Sequence, residues 1–357
     1  MSLFQSIKVG ALTLPNRIVM APMTRGRANG DGVPHPRMAV YYAQRASAGL
    51  LITEGVFISP QAVGWVNAPG IYTDAQIEGW KSVTNAVHEK NGRIFLQLWH
   101  MGRVSHPNFQ NGSLPVGPSA IAAEGETFTP AGKCAYVTPH ELTASEIAQT
   151  VADFAQAAKN AIAAGFDGVE IHGANGYLVD EFIRDGSNKR TDEFGGSIEK
   201  RWKFPLQVVQ AVVNAVGAEK TAIRLSPVGG YNTMSDSDPQ ATFTYGVSQL
   251  NKFGLAFLHV LEAGPGHMMY NENAPVVHPH LRKAFQGPFL LNGGQTKDSA
   301  EAAMASGAAD FISFGVPFLA NPDLVNRLKK GDALAMPDFA KLYGGDESGY
   351  TDYPALE

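Results

Sequence analysis

The sequence predicts an α/β fold closed into an eight-stranded (β/α)8 TIM barrel, with an N-terminal capping hairpin and a long insertion after strand 3. Three observations carry this. Eight short apolar runs recur along the 357 residues, each leading into an amphipathic helical stretch. Several runs are apolar at successive positions, as strands buried on both faces are. The alternative, a doubly wound sheet, would announce itself by G-x-G-x-x-G after its first strand. Here that strand runs instead into Ala21-Pro22-Met23-Thr24-Arg25.

In chain order, residues 4–14 read as a small hairpin turning at Gly10-Ala11, suited to plug one barrel mouth. Strands are expected at 17–20, 50–54, 94–99, 168–172, 222–226, 256–261, 289–292 and 311–314. Helix 75–90 places Ile77, Trp80, Val83 and Val87 at helical spacing. Helix 145–164 opens on Thr143-Ala144-Ser145-Glu146, a capping-box pattern. Helices 198–216 and 242–253 read similarly, while 299–306 and 322–330 stop at Gly307 and Gly331. Two long connections leave strand C-terminal ends, at 100–142 and 262–278. Such loops in a compact fold are usually functional or covering elements. A plain (β/α)8 unit takes about 250 residues. The hairpin, the insertion (about 101–142), the 262–278 loop and the C-terminal tail absorb the excess, so one domain over 1–357 is expected.

Composition narrows the function. Charged residues are 17% of the chain, net charge is −5 and the isoelectric point about 6.1. That argues against a broad basic surface for nucleic acid or an acidic membrane. Cys134 is the single cysteine, which excludes an internal disulfide and a multi-cysteine zinc or iron–sulfur site. No metal site is expected. The first eight residues lack a secretory pattern, and no apolar run approaches about 18 residues. Cytoplasmic residence is the expectation. No sequence signature marks a strong interface, so a monomer or weak homodimer is expected.

In a barrel, polar residues at strand C-terminal ends converge. They are Thr24, Glu54, Gln97, His100, His172, Arg224, Ser226, His259, Glu262 and Asn292. No strand holds a lysine, which argues against a Schiff-base aldolase. A phosphosugar lyase or isomerase with Glu54 or Glu262 as base stays open. His100 and His106, and His278 and His280, read as structural rather than metal-binding. Arg224 sits inside an apolar strand and needs a partner. That partner is either an internal carboxylate, Glu170 or Glu54, or a ligand that gains negative charge. Leu291-Asn292-Gly293-Gly294-Gln295 and Ser313-Phe314-Gly315-Val316-Pro317 end strands 7 and 8, where barrel enzymes commonly hold phosphate. His172, Asn175 and Tyr177 form the sharpest cluster: two donors for one oxygen and a nearby hydroxyl. Alternatively they satisfy loop carbonyls and pack on the rim.

The residues then resemble the old yellow enzyme family of FMN-dependent ene-reductases. The markers are Asn16–Arg25, Leu51–Gly55, Gln97–Arg103, Gly168–Tyr177, Arg190–Ser197, Ala320–Leu324 and Tyr343–Gly345, in order from Phe4 to Pro354. The tail Gly349–Pro354 suits the branch similar to pentaerythritol nitrate reductase and N-ethylmaleimide reductase. The resemblance implies FMN held without a covalent bond, with Pro22, Met23 and Thr24 along the ring system. Gly55, Gln97 and Arg224 would meet its polar edge, and Gly293, Gly294, Gly315 and Val316 its phosphate. NADPH or NADH would be the reductant and activated alkenes (enones, maleimides, nitroalkenes) the substrates; a flavin-binding protein whose redox state a partner reads, without turnover, is the alternative. His172 and Asn175 would bind the activating oxygen while Tyr177 protonates the α carbon. Trp65, Trp99, Asn232, Met268 and Tyr343 would form the substrate wall. Family members usually carry arginine where Val316 stands. The phosphate is therefore expected to rely on backbone N–H groups and Lys297, with FMN held less tightly than in relatives.

Overall fold

The apolar runs close into a barrel in the computed structural model, which describes residues 2–265, 267 and 269–356. The chain opens with an antiparallel pair, β1 (Ile7–Val9) and β2 (Leu12–Leu14), turning at Gly10. Gly10 has φ 55°, and a Cβ there would lie 2.1 Å from the Glu219 carbonyl oxygen, so glycine is required. Val9 and Leu14 pack with Leu50, Phe95, Phe257, Leu290 and Phe311, all near strand N-terminal ends. The hairpin thus plugs the bottom mouth, as expected.

The barrel strands begin with β3 (Ile18–Met20), β4 (Leu50–Phe57) and β5 (Ile94–Trp99). The insertion then contributes β6 (Val116–Gly117), β7 (Glu126–Thr129), β8 (Gly132–Ala135) and β9 (His140–Glu141). The barrel resumes with β10 (Gly168–Gly173), β11 (Thr221–Leu225), β12 (Phe257–Leu261), β13 (Phe289–Asn292) and β14 (Phe311–Phe314). All barrel neighbours pair in parallel, and β14 returns to β3 with Phe314 opposite Met20. Strand β4 runs three residues past its predicted end, through a register shift between Ile52 and Gly55 against β5. The β7–β8 hairpin was not expected from the sequence. Its strands alternate without an apolar run, and Phe128 projects into solvent.

Helices α1 (Pro36–Gln44), α2 (Asp74–Glu89) and α3 (Ala144–Ala163) follow β3, β4 and the insertion. The capping box at Thr143 and Glu146 is formed, and Thr73 with Gln76 makes a second. Helix α1 was not expected, although Pro36 at its first turn is a start signal. Helix α4 (Leu178–Ile183) follows β10. The single helix expected over 198–216 is two, α5 (Ile198–Arg201) and α6 (Lys203–Val216). Pro205 has no N–H to return to the Arg201 carbonyl, so the ladder breaks there. Helix α7 (Pro239–Leu250) starts ahead of its expected position because Asp238 caps it, accepting the Ala241 N–H at 3.0 Å. Helices α8 (His278–Ala284), α9 (Lys297–Ala305), α10 (Val316–Ala320) and α11 (Leu324–Lys330) complete the ring. Among the described residues no helix is long and apolar enough to cross a membrane.

The C-terminal tail is strapped back over the top of the barrel. Arg25 Nε donates to the Leu342 carbonyl at 2.9 Å and Arg25 Nη2 to the Gly349 carbonyl at 2.8 Å. Tyr350 stacks on Tyr41, ring centroids 4.1 Å apart. These contacts carry Tyr343 to the mouth of the barrel.

Candidate active site

A cavity of about 370 Å³ opens at the strand C-terminal ends, a size suited to a small organic ligand. Pro22, Met23 and Thr24 line it just beyond β3, Gly55 from β4 and Gln97 from β5. Arg224 enters from β11, and Gly294, Gly315 and Val316 come from the turns after β13 and β14. Trp65, Trp99 and Tyr343 complete the side nearest His172, Asn175 and Tyr177. Of the polar strand-end residues expected to converge, Thr24, Gln97, His172, Arg224 and Asn292 line the cavity, whereas Glu54, His100, Ser226, His259 and Glu262 do not.

Gly293 and Asn232, both expected here, are not on this wall. Gly293 lies behind it: at φ 145°, a Cβ would meet the Glu262 carbonyl oxygen at 1.8 Å. Its glycine serves chain packing. Asn232 acts from behind the Asn175 turn, donating Nδ2–H to the Asn175 carbonyl at 2.8 Å. Met268 lies outside the described residues. Lys297 is also not on the wall; its ammonium lies 5.9 Å from the Phe4 ring centroid.

The β10 turn builds the donor cluster. Asn175 and Gly176 both take left-handed backbone, φ 61° and 73°, a conformation asparagine and glycine tolerate. The turn is pinned on both sides: Asn175 donates its N–H to Ser226 Oγ at 2.8 Å, and Gly176 donates to Asp180 Oδ2 at 2.9 Å. Asp180 also accepts from Arg184 Nε at 2.9 Å, and Arg184 Nη2 bonds the Ser226 carbonyl. The Asn175 Oδ1 position is buried without a partner. A flip of the amide puts an N–H donor there instead.

Burial sets the protonation states. His172 is held neutral, its pKa well below the ordinary value, first by burial and then by Arg224 and His259. Its Nδ1 accepts the Ala174 N–H at 3.4 Å, so the proton resides on Nε2. Tyr177 is pushed well above its usual value, first by burial, then by Tyr231, Tyr136 and Tyr343, with a hydrogen bond to Asn232 opposing. Its hydroxyl stays protonated at neutral pH. The Tyr177 ring meets Trp99 and His172 edge-on, at centroid distances of 5.0 and 4.9 Å.

Arg224 resolves the choice left open by its strand. Neither carboxylate pairs with it. Glu54 instead accepts the Arg25 and Gly26 N–H groups at 3.0 and 3.1 Å. Glu170 is taken by Gln97 and His259. Arg224 Nη2 donates to Asn292 Oδ1 at 3.0 Å, while Nε is buried without a partner. A buried guanidinium N–H beside a cavity fits an acceptor-rich, anionic ligand edge.

Glycine requirements divide the same way. At Gly55 a Cβ would lie 2.4 Å from Trp99 Cε3, so close packing of that indole needs glycine. At Gly315 the nearest atom to a Cβ would be Met23 Sδ, 3.6 Å away. The space beside Gly315 is the cavity itself, as a phosphate cradle requires.

His106 and His278 are structural, as read from the sequence. His106 Nδ1 accepts the Asn108 N–H at 3.1 Å, and His278 Nδ1 lies 2.6 Å from Glu262. Glu262 is further engaged by the Val277 and His278 N–H groups. Among the described residues neither Glu54 nor Glu262 lines the cavity, and no lysine does, so neither base offered for a lyase or isomerase faces it. Sequence reasoning missed Tyr231, His267, Met269 and Ser313 on the wall. Ser313 interrupts an apolar strand as Arg224 does, and that signal was available. The others sit on loops without periodicity.

The comparisons agree with the geometry. Residues 2–335 match the model of the NADH:flavin oxidoreductase / NADH oxidase family. The chain is 46% identical over 356 residues to 12-oxophytodienoate reductase 1 of Oryza sativa subsp. japonica, covering 98% of this chain and 92% of that protein. It is 43% identical over 360 residues to a probable flavin mononucleotide-dependent alkene reductase of Leishmania infantum, covering 99% and 97%. Among solved structures, the old yellow enzyme homologue from Zymomonas mobilis superposes with a TM-score of 0.98 at 46% identity, covering 100% of both chains. Morphinone reductase in complex with tetrahydroNAD gives 0.94 at 46% identity, covering 100% and 98%.

Proposed function

The chain belongs to the NADH:flavin oxidoreductase / NADH oxidase family, and on that premise we propose that it is an FMN-dependent ene-reductase using NADPH or NADH. Its substrates are alkenes conjugated to a carbonyl or nitro group: enones, maleimides and nitroalkenes. One observation carries this reading. His172, Asn175 and Tyr177 share a cavity wall with an arginine whose Nε has no protein partner.

The residues fit FMN. Pro22 and Met23 offer an apolar face to a flat ring system, with the Thr24 hydroxyl at its edge. Gln97 and Arg224 would hold its polar edge, Arg224 countering negative charge there. Gly294, Gly315 and Val316 would hold its phosphate through backbone N–H groups. When bound, FMN supplies a two-electron carrier between the nicotinamide and the β carbon of the alkene.

The chain's own groups do the rest. His172 Nε2–H and the Asn175 amide donate to the activating oxygen, where charge develops as the β carbon is reduced. Tyr177 gives its proton to the α carbon as general acid and regains one from water. The net change is one hydride from NAD(P)H and one proton added across the double bond. Trp65, Trp99 and Tyr343 shape the space for the alkene, with Asn232 supporting the Asn175 turn.

Purified protein reconstituted with FMN tests this. Flavin absorbance that bleaches with NADPH and returns on adding an enone is expected. A protein that binds flavin but oxidises no NADPH in response to any activated alkene is instead a redox-sensing flavoprotein. One that binds no flavin refutes both.

A further inference from the structure

Four polar side chains on the cavity wall come from four barrel strands, Gln97 from β5, Arg224 from β11, Asn292 from β13 and Ser313 from β14. Two more, Glu170 and His259, lie behind them, wholly buried and off the wall. A buried carboxylate and imidazole are costly to place, and an apolar pair of similar volume would serve stability as well or better. Their bonds show a different use, because outside the pair each ends on a cavity-lining group.

The donor order follows from chemistry. A carboxylate only accepts. Glu170 Oε1 therefore takes an N–H of Gln97 Nε2 at 2.8 Å, and Oε2 takes the His259 Nδ1–H at 2.7 Å. His259 Nε2 is then an acceptor and takes the Ser313 hydroxyl proton at 2.8 Å. Asn292 joins the layer by donating to the Ser313 carbonyl at 2.9 Å and accepting from Arg224 at 3.0 Å. With one N–H of its Nε2 given to Glu170, the Gln97 amide is held in one orientation, its carbonyl oxygen turned away from that carboxylate. The same carboxylate acts electrostatically on Arg224 without bonding to it.

We propose that Glu170 is a positioning residue for the flavin pocket: its carboxylate fixes the Gln97 amide in one orientation and offsets the charge of Arg224 beneath the ligand's polar edge. It thereby sets how tightly flavin is held and how readily it is reduced, although it touches neither flavin nor substrate. This rests on the flavin reading above.

The test uses the full chain reconstituted with FMN. Glu170→Gln removes the charge and leaves Arg224 uncompensated. It is expected to favour binding of reduced over oxidised FMN by about tenfold, a rise of about 30 mV in a two-electron midpoint potential. Glu170→Asp keeps the charge but withdraws the carboxylate by one methylene. It is expected to weaken oxidised FMN about fivefold, one lost hydrogen bond, with the potential near wild type. His259→Asn retains a donor toward Glu170 and is expected to preserve the potential. An unchanged potential in Glu170→Gln, or an equal shift in His259→Asn, overturns the proposal. Should Glu170→Gln fail to fold, unaltered FMN affinity in Glu170→Asp overturns it. Failure of the wild type to bind FMN at all refutes the functional reading instead.

Discussion

The Asn175 backbone N–H donates to Ser226 Oγ at 2.8 Å, tying the turn after β10 to the end of β11. This bond crosses between two strand ends and holds a left-handed asparagine whose side chain faces the cavity. Ser226→Ala removes the acceptor without leaving a buried charge. Affinity for a phenol or enone is expected to fall about fivefold, the worth of one hydrogen bond, with FMN loading unchanged. Spectral titration of the reconstituted protein checks it. In an Asn175→Ala background the same substitution should have little further effect.

Tyr177→Phe keeps the ring edge-on to Trp99 and His172 but removes the proton. Reduction by NADPH is expected to proceed nearly as in wild type. Reoxidation by an enone should slow by about 10²–10⁴, the usual contribution of a positioned acid. Stopped-flow measurement of the two half-reactions separates them. Loss of the reductive half alone would falsify the assignment of Tyr177.

Val316 stands 41% exposed at the start of α10, on the cavity wall, where relatives are expected to carry arginine. Lys297 does not take that role in space. Val316→Arg is therefore expected to tighten FMN about fivefold through one charge-assisted contact at a partly exposed site. Fluorescence titration of FMN against the apoprotein measures this.

Glu181 gives a pH signature of the fold. It is buried, with Oε1 accepting the Arg103 N–H at 2.9 Å and Oε2 without a partner. Burial raises its pKa to about 8, with Arg103 opposing. The folded state thus binds this proton more tightly than the unfolded chain. Its contribution is fully present below an ordinary glutamate value of about 4.3 and lost as pH rises toward 8. Glu181→Gln is expected to flatten the decline in melting temperature between about pH 5 and 8. An unaltered slope would remove Glu181 as its source.

The sequence by itself determined the strand runs, the threonine cap of α3 and the polar residues at strand ends. These are local signals: apolar runs fit a pleat buried on both faces, and a threonine three residues before glutamate or glutamine closes its own cap. His172, Asn175 and Tyr177 were legible because they sit within six consecutive residues at the end of one strand. Only the tertiary structure decided what lies between strands. It broke one expected helix at Pro205, moved Gly293 and Lys297 off the wall, and left Arg224 without a carboxylate because Glu170 had bonded across to Gln97 and His259. The bonds of that layer join residues up to 89 positions apart. No local pattern encodes such a separation. Barrel closure sets it, by bringing the ends of distant strands to one height.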